Sequence, residues 1–314
     1  MKTIYLHIGV GKTGTTSIQQ FLAANHEDLS AAGMNYVLAG GGAAGGGHQN
    51  FAKSFITDIP HYMVPPTNII SDRALILHEI EHCHESKILL SSENFPLSDP
   101  CLVRDFFERS RMNFKYKIVM FIRSQDELVE SEYNQLVKVR LEKRTLVEYI
   151  ETEFDGDFMK LASKWEQVFG QDNLICRIYD SRHFNVVNDF LGCLEVVLNS
   201  DMNEKYVAPV VSNKSLGFLA LTLKHALNML QPHTGDKLNF ELPSELSMLI
   251  PDIDLPAILM NSRDARQFLD RYRESNRKFS ERFLGESMSD IGGRRYSDYE
   301  RDDYYHQCQN LINL

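Results

Sequence analysis

The chain has 314 residues, of which 43% are apolar, and a formal net charge of −10. This length and apolar content are enough to bury a substantial core, and they predict one α/β domain near the upper size limit of a single core. The acidic balance argues against a nucleic-acid-binding protein, because such proteins present a basic surface.

The first predicted strand leads into a loop of small residues and then into a helix. Gly9, Gly11 and Gly14 allow backbone N–H groups to turn toward a ligand. The helix predicted to begin near Thr15 directs the positive end of its dipole at the same point, and Lys12 adds a full charge. The segment therefore predicts a site for phosphate or for a group shaped like it.

The position of the lysine distinguishes this loop from a Walker A loop. That loop reads Gly-x-x-x-x-Gly-Lys-Ser/Thr, so a loop ending at Gly11-Lys12 would need its first glycine at position 6, which is Leu6. Lys12 is followed instead by residues with hydroxyl groups that can contact phosphate oxygens, interrupted by one glycine: Thr13, Gly14, Thr15, Thr16 and Ser17. The alternative is an ordinary strand–turn–helix with a surface lysine.

Two histidines are candidates for a general base. The glycine-rich segment 40–47 precedes His48, and its flexibility suits a lid over a pocket, which makes His48 one candidate. The alternative is a plain surface linker with an exposed histidine. His7 lies inside the first predicted strand, where we expect a core residue.

A carboxylate follows the third predicted strand. In an open α/β sheet the ligand lies beyond the carboxyl ends of the strands, and the strand near 87–92 delivers Glu93 to that edge. Glu93 is the first candidate for a catalytic base. The alternatives are that it caps the next helix or pairs with a cation such as Lys12.

The fourth predicted strand ends in a cation. Arg123 follows the apolar run 116–122, and Ser131 comes two turns into the predicted helix beyond it. A guanidinium at a strand end and a hydroxyl on the next helix can share one phosphate. The alternative is that Arg123 pairs with Asp126 or Glu127 at the start of the helix.

Short apolar runs alternate with amphipathic segments through the first half of the chain. The predicted strands lie near 3–9, 34–38, 87–92, 116–122 and 173–179. This alternation predicts a mainly parallel sheet with helices on both faces. Beyond it, the predicted helices lie near 185–197, 214–230 and 257–283. We expect one domain over 1–284, with 285–314 as an irregular cover or contact arm of the same domain.

Five scattered cysteines, an odd number without ligand-like spacing, indicate neither a disulfide framework nor a zinc site. The first strand begins at once, without a basic and apolar leader, and no uninterrupted apolar run reaches about 18 residues. We therefore expect a cytoplasmic protein without a transmembrane segment.

Both phosphate motifs together resemble those of sulfotransferases that use 3′-phosphoadenosine-5′-phosphosulfate (PAPS). The Lys12 loop resembles their 5′-phosphosulfate loop, which in bacterial members tends to read His-Ile-Gly-x-x-Lys-Thr-Gly-Thr-Thr-Ser. Arg123 and Ser131 have the spacing with which the family reads the 3′-phosphate. The family often has a proline and a further arginine after the first arginine, whereas residues 125–127 here are Gln-Asp-Glu.

The resemblance implies a P-loop NTPase-like sulfotransferase fold with a helix-rich C-terminal half. It implies PAPS as cofactor, adenosine 3′,5′-bisphosphate as product and no metal. The implied cofactor-binding residues are Gly11, Lys12, Thr13, Gly14, Thr15, Thr16, Ser17, Arg123 and Ser131. The candidate catalytic residues are Lys12, Glu93 and His48.

The acceptor implied by the resemblance is a hydroxyl group, with a glycan or glycolipid as the expected substrate. An ATP-dependent small-molecule kinase of similar topology is the first alternative, and a non-catalytic nucleotide-binding protein is the second. The kinase is disfavoured because no strand ends in the acidic residue that is expected to hold magnesium. One strand nominated for the site ends in Arg123 and the other in Ser92-Glu93.

Overall fold

The structure is a computed structural model that describes residues 1–44, 46–60, 63–110, 112–180, 186–195, 215–230, 255–288, 291–292 and 296–312. The chain divides into two compact units, each built from three stretches. The first unit comprises Met1–Arg123, Asp157–Val210 and Ser275–Ser289, and the second comprises Ser124–Gly156, Val211–Glu274 and Asp290–Leu314. The boundary between residues 284 and 285 that the sequence suggested lies inside the last stretch of the first unit.

The first unit contains a five-stranded sheet. Its strands are β1 (Lys2–His7), β2 (Met34–Tyr36), β3 (Lys87–Ser91), β4 (Phe114–Ile122) and β5 (Leu174–Ile178). They lie in the order β2-β3-β1-β4-β5, and every neighbouring pair is parallel. This arrangement confirms the predicted parallel sheet and places the ends of β3 and β4 on either side of the end of β1.

Helices account for most of the remaining described residues. They are α1 (Thr15–Ala24), α2 (His26–Ala31), α3 (Gln49–Lys53), α4 (Ile69–His82), α5 (Pro100–Glu108), α6 (Gln125–Arg140), α7 (Leu146–Thr152), α8 (Phe158–Phe169), α9 (Val186–Cys193), α10 (Phe218–Leu230), α11 (Ser262–Asp270), α12 (Arg273–Phe283) and α13 (Asp298–Ile312). The single helix predicted near 257–283 is thus two helices. Among the described ranges, none is both long and apolar enough to span a membrane.

Both faces of the sheet are covered by helices. On one face, Phe21 of α1 and Phe190 of α9 pack in one buried cluster with Phe121 of β4. On the other face, the ring of Phe107 from α5 lies beside Tyr116 of β4. Because side chains alternate along a strand, residues 116 and 121 point to opposite faces. The α/β class with helices on both faces is confirmed.

The second unit is helical where it is described. Its buried cluster joins Tyr133 of α6 and Leu221 of α10 to Phe268 of α11. Apolar side chains on helical spacing account for this packing, as they do for most helices that bury one face.

The C-terminal segment corrects the prediction of an irregular cover, because it forms α13. Arg301 on this helix is buried and makes ion pairs with Asp126 Oδ2 at 3.1 Å and with Glu130 Oε1 at 3.2 Å, both on α6. The sequence of the segment is poor in aliphatic residues, so the apolar periodicity that normally reveals a helix is absent.

Candidate functional site

The chain turns sharply after β1. Lys12 has a φ of 64° and Gly14 a φ of 80°, so both lie in the left-handed region. A residue with a β-carbon pays about 1 to 2 kcal/mol for this conformation, and such strain clusters at ligand sites. The sharp turn brings the loop directly into the first turn of α1.

The N-terminus of α1 is open to an anion. Its N-cap residue is Gly14, which has no side chain to bind the first amides, and the first turn, which lies wholly within the described residues, contains no acidic side chain. The first-turn N–H groups of a helix have no acceptor inside the helix, and the helix dipole adds a partial positive charge there. An oxygen-rich anion is the natural ligand of such an end.

Two threonines of the loop have different roles. Thr13 is buried, and its Oγ1 donates to Val10 O at 2.6 Å, which holds the turn closed. Thr15 is also buried, but its Oγ1 has no hydrogen-bond partner among the described residues. Buried hydroxyls are nearly always hydrogen-bonded, so Thr15 Oγ1 has hydrogen-bonding capacity that a ligand can use. Thr16 is exposed and Ser17 is half-buried.

His7 and Gly9 complete the inner wall of the loop. His7 is fully buried, its Nδ1 lies 2.8 Å from Ser91 Oγ, and its Nε2 has no partner in the described part of the chain. A β-carbon at Gly9 would lie 2.7 Å from Thr15 Oγ1 and 3.1 Å from His7 Nε2, so only glycine fits there. Burial lowers the pKa of His7 to about 3, which keeps the ring neutral. The expectation that His7 is a core residue is confirmed.

Arg123 reaches the same loop from the end of β4. Its Nη1 donates to the backbone oxygen of Lys12 at 3.2 Å, and its guanidinium carbon lies 5.7 Å from the centre of the Tyr179 ring. The structure therefore brings together Lys12 and Arg123, which the sequence placed at one sheet edge. The ring of Tyr179 also borders the loop, since a β-carbon at Gly14 would lie 3.3 Å from its Cε2.

The contact of Tyr179 with the loop was missed at the level of sequence. The signal that could have found it is the position of Tyr179 directly after β5, at the carboxyl edge of a parallel sheet.

Ser131 lies on α6, seven residues after Ser124, and its side chain is half-buried. Arg123 is the last residue of the first unit, whereas α6 belongs to the second. A phosphate shared between Arg123 and Ser131 stays a prediction.

Glu93 follows β3, which pairs directly with β1 so that Ser91 lies opposite His7. Glu93 and Lys12 thus extend from neighbouring strand ends. The Glu93 side chain is exposed, and no described residue forms an ion pair with it. The backbone N–H of Asn94 is bound by Ser92 Oγ at 3.1 Å, so the following turn has a hydroxyl acceptor without Glu93.

His48 is fully buried, which corrects the alternative of an exposed histidine on a surface linker. Its Nε2 lies 2.9 Å from Val37 O and its Nδ1 lies 3.1 Å from Ser91 N. Burial lowers its pKa to about 4, although the backbone contacts oppose this shift. Both ring nitrogens contact the backbone, and the role of His48 as a base stays a prediction.

No group of three or more His, Cys, Asp or Glu side chains is placed to hold a metal ion within the part of the chain that the structure describes.

Comparisons with known proteins give two similarities. No family model matches the chain. A protein of Archaeoglobus fulgidus described as uncharacterized is 32% identical over 176 residues, which are 54% of this chain and 46% of that protein, so the chain matches less than half the length of this relative. A crystal structure of a sulfotransferase from Alicyclobacillus acidocaldarius is similar with a TM-score of 0.44 and 14% identity, covering 74% of this chain and 97% of that one. Neither similarity assigns the chain to a family.

Proposed function

We propose that the chain is a sulfotransferase that moves a sulfuryl group from PAPS to an acceptor hydroxyl and leaves adenosine 3′,5′-bisphosphate. One observation carries this proposal: the uncapped N-terminus of α1, with the unpartnered hydroxyl of Thr15, adjoins a loop whose Lys12 carbonyl is bound by Arg123. An anion site and a second cation therefore meet at one edge of the sheet.

The inner wall of the loop fits the 5′-phosphosulfate end of PAPS. Gly9 leaves room where a side chain would collide with Thr15 Oγ1, and Thr15 itself has hydrogen-bonding capacity that no described residue uses. The first-turn N–H groups of α1 supply donors, and Lys12 supplies a charge. These are the groups that we assign to the 5′ end, together with Gly11, Gly14, Thr16 and Ser17 of the same loop and the backbone N–H of Thr13, whose hydroxyl is bound to Val10 O.

The second charge distinguishes PAPS from magnesium-ATP. Arg123 follows β4, one of the two strands that pair with β1, so a cation stands at a strand end where an enzyme that uses magnesium-ATP can place an acidic residue to hold the metal. A guanidinium repels a divalent cation but binds a second phosphate. We assign Arg123, with Ser131 of α6, to the 3′-phosphate.

When bound, PAPS would supply the sulfuryl group. The bond between its sulfur and the bridging P–O–S oxygen breaks, and a bond between the sulfur and the acceptor oxygen forms. Lys12 stabilises the negative charge that develops on the departing phosphate oxygen, and Glu93 accepts the proton of the acceptor hydroxyl. Holding the two reactants in line is worth several kcal/mol by itself. β1 and β3 are neighbours, so Lys12 and Glu93 follow adjacent strand ends, which supports their assignment to one site.

The acceptor that we propose is a hydroxyl group of a glycan or glycolipid. The exposure of Glu93 supports this choice, since a hydroxyl on a large molecule can reach a carboxylate at the surface. We also propose a cytoplasmic location, because the five cysteines, of which three are buried, are all free thiols.

Calorimetry with three nucleotides tests the proposal. We expect adenosine 3′,5′-bisphosphate to bind at least about tenfold more tightly than adenosine 5′-monophosphate, since a charge-assisted hydrogen bond is worth about 1.5 to 3 kcal/mol. Arg123→Ala should remove that difference while leaving the monophosphate affinity nearly unchanged. Arg104→Ala is the matched control, because Arg104 is an exposed residue of α5 paired with Glu108. Tight binding of magnesium-ATP without preference for the 3′-phosphate contradicts the proposal.

Radiolabelled PAPS identifies the acceptor. We expect label to pass to oligosaccharides or to glycolipids in a screen that also contains simple phenols and alcohols. Transfer to phenols alone would replace the glycan in the proposal and leave the reaction class intact.

A further inference from the structure

The β2–β3 ladder is interrupted at its carboxyl end. Tyr36 pairs with Leu89, and Val37 N donates to Leu89 O at 3.1 Å. In a regular parallel ladder the next hydrogen bond would run from Ser91 N to Val37 O. The ring of His48 occupies that place, with Nδ1 3.1 Å from Ser91 N and Nε2 2.9 Å from Val37 O.

The backbone groups around the ring indicate which nitrogen of the neutral His48 carries the proton. Val37 O only accepts, so Nε2 carries a proton and donates it to Val37 O. Nδ1 lies 3.1 Å from Ser91 N, a donor, and 3.2 Å from Ser91 O, an acceptor, and in the neutral ring it accepts from Ser91 N. The backbone N–H of His48 donates to Ser91 O at 2.8 Å. The neutral ring thus satisfies strand-end groups that would otherwise be buried without partners.

Gln49, the residue after His48, binds the residues on either side of Glu93. Gln49 Oε1 accepts from Ser92 Oγ at 2.7 Å and from Asn94 Nδ2 at 2.6 Å. The residues before and after Glu93 are therefore both held by one amide, while the Glu93 carboxylate itself is exposed.

Ser91 also joins this turn to the anion site. Its Oγ lies 2.8 Å from His7 Nδ1 on β1 and 3.2 Å from Gln19 Nε2 on α1. Gly47 has a φ of 68°, and a β-carbon there would lie 2.7 Å from Ser91 O, so the end of the glycine-rich segment packs directly against the strand end. A shift of Ser91 on β3 would therefore also displace its partner His7 on β1.

We propose that His48 is a positioning residue that, as a wedge between β2 and β3, sets the place of Glu93. Gln49 completes the hold on that turn. The inference rests on the proposed function, in which Glu93 takes the proton of the acceptor, and it assigns to His48 no proton transfer of its own.

The wedge is tested by NMR on the whole chain without any ligand. We expect the His48 ring to show a neutral Nε2–H form at neutral pH, and the Ser91 amide to exchange at least about tenfold faster in His48→Ala, as loss of a buried hydrogen bond requires. His84→Gln, at an exposed histidine, should change neither signal. A His48 ring that titrates at its ordinary pKa, or unchanged Ser91 exchange, overturns the wedge.

The positioning role is tested by kinetics with the acceptor that the radiolabel screen identifies. We expect kcat of His48→Ala to fall by about 10 to 100-fold, the cost of a small misplacement, with the affinity for adenosine 3′,5′-bisphosphate within about twofold of the parent. His48→Gln should recover part of kcat, because its amide both donates and accepts.

Several outcomes separate this inference from the proposed function. Parental kcat in His48→Ala overturns the positioning role, as does a kcat of His48→Gln that is no higher than that of His48→Ala. If the parent chain does not bind adenosine 3′,5′-bisphosphate, the proposed function fails, and the NMR test still decides whether His48 is a wedge. Should His48→Ala not fold, His48→Gln and the parent spectra decide both points.

Discussion

The ends of β1 and β3 lie side by side but differ in how their polar groups are satisfied. After β1, the buried Thr15 Oγ1 and His7 Nε2 have no partner among the described residues, and Lys12 has a strained backbone. After β3, the buried groups around Ser91 are bonded to the His48 segment. A strand end prepared for a ligand leaves groups unsatisfied, whereas one that holds a side chain in place satisfies them internally.

The largest effect should come from the single exposed acid at the end of β3. Glu93→Gln should lower turnover by about 10² to 10⁴-fold, the usual loss when a general base is removed, and should leave the affinity for adenosine 3′,5′-bisphosphate unchanged. Glu81→Gln, at an exposed residue of α4, is the control and should keep full turnover. Turnover that survives Glu93→Gln would contradict the proposal that the end of β3 positions the catalytic base.

The second-largest effect on turnover should come from Lys12, the residue with a strained backbone after β1. Lys12→Met should lower kcat by about 10² to 10³-fold, the range for one group that stabilises developing charge. The measurement is turnover at saturating PAPS, with Lys160→Met on the exposed side of α8 as control. A variant that loses affinity for PAPS but keeps kcat would show that Lys12 only binds.

Two threonines of one loop sharpen the contrast further. Thr15→Val should weaken the binding of adenosine 3′,5′-bisphosphate about tenfold, since we assign its hydroxyl to the ligand, and should leave the free energy of unfolding nearly unchanged. Thr13→Val should do the reverse, lowering the free energy of unfolding by about 1 to 3 kcal/mol, because Val10 O loses its buried donor. Calorimetry and denaturant titration measure the two quantities. Equal effects in both variants would contradict the division of roles.

The smallest effect concerns pH. The pKa of His48 is lowered from 6.5 to about 4, so below its ordinary pKa the unfolded chain binds a proton that the folded chain refuses. The free energy of unfolding contributed by His48 is therefore complete above that pKa and is lost as pH falls toward 4. His48→Gln should reduce the pH slope by about 1.4 kcal/mol per unit in this window.

Denaturant titrations of the parent, His48→Gln and His84→Gln at several pH values measure this slope. Since His7 is also buried and neutral, His48→Gln should keep the part of the slope that His7 contributes. A slope identical in all three proteins would show that His48 is protonated in the folded state.

The sheet could be predicted because each strand is a short apolar run bounded by polar or glycine residues, a local signal. The loop at Lys12 could be predicted for the same reason, since its glycines, lysine and threonines are contiguous. Arg123 was found as the residue after a strand, and the structure shows its contact with the Lys12 carbonyl.

The role of His48 could not be predicted, because its partner Ser91 is 43 residues away and no local pattern marks that contact. The helix α13 was missed for a related reason. Arg301 is held by Glu130, 171 residues earlier in the chain, and a buried ion pair leaves no apolar stripe in the sequence. Contacts distant along the chain decide both cases.

A crystal structure with adenosine 3′,5′-bisphosphate tests the central claim most directly. We expect the 5′-phosphate at the N-terminus of α1, within hydrogen-bond distance of Thr15 Oγ1, and the 3′-phosphate against Arg123. A nucleotide bound elsewhere, or a 5′-phosphate that leaves Thr15 Oγ1 without a partner, would contradict the account.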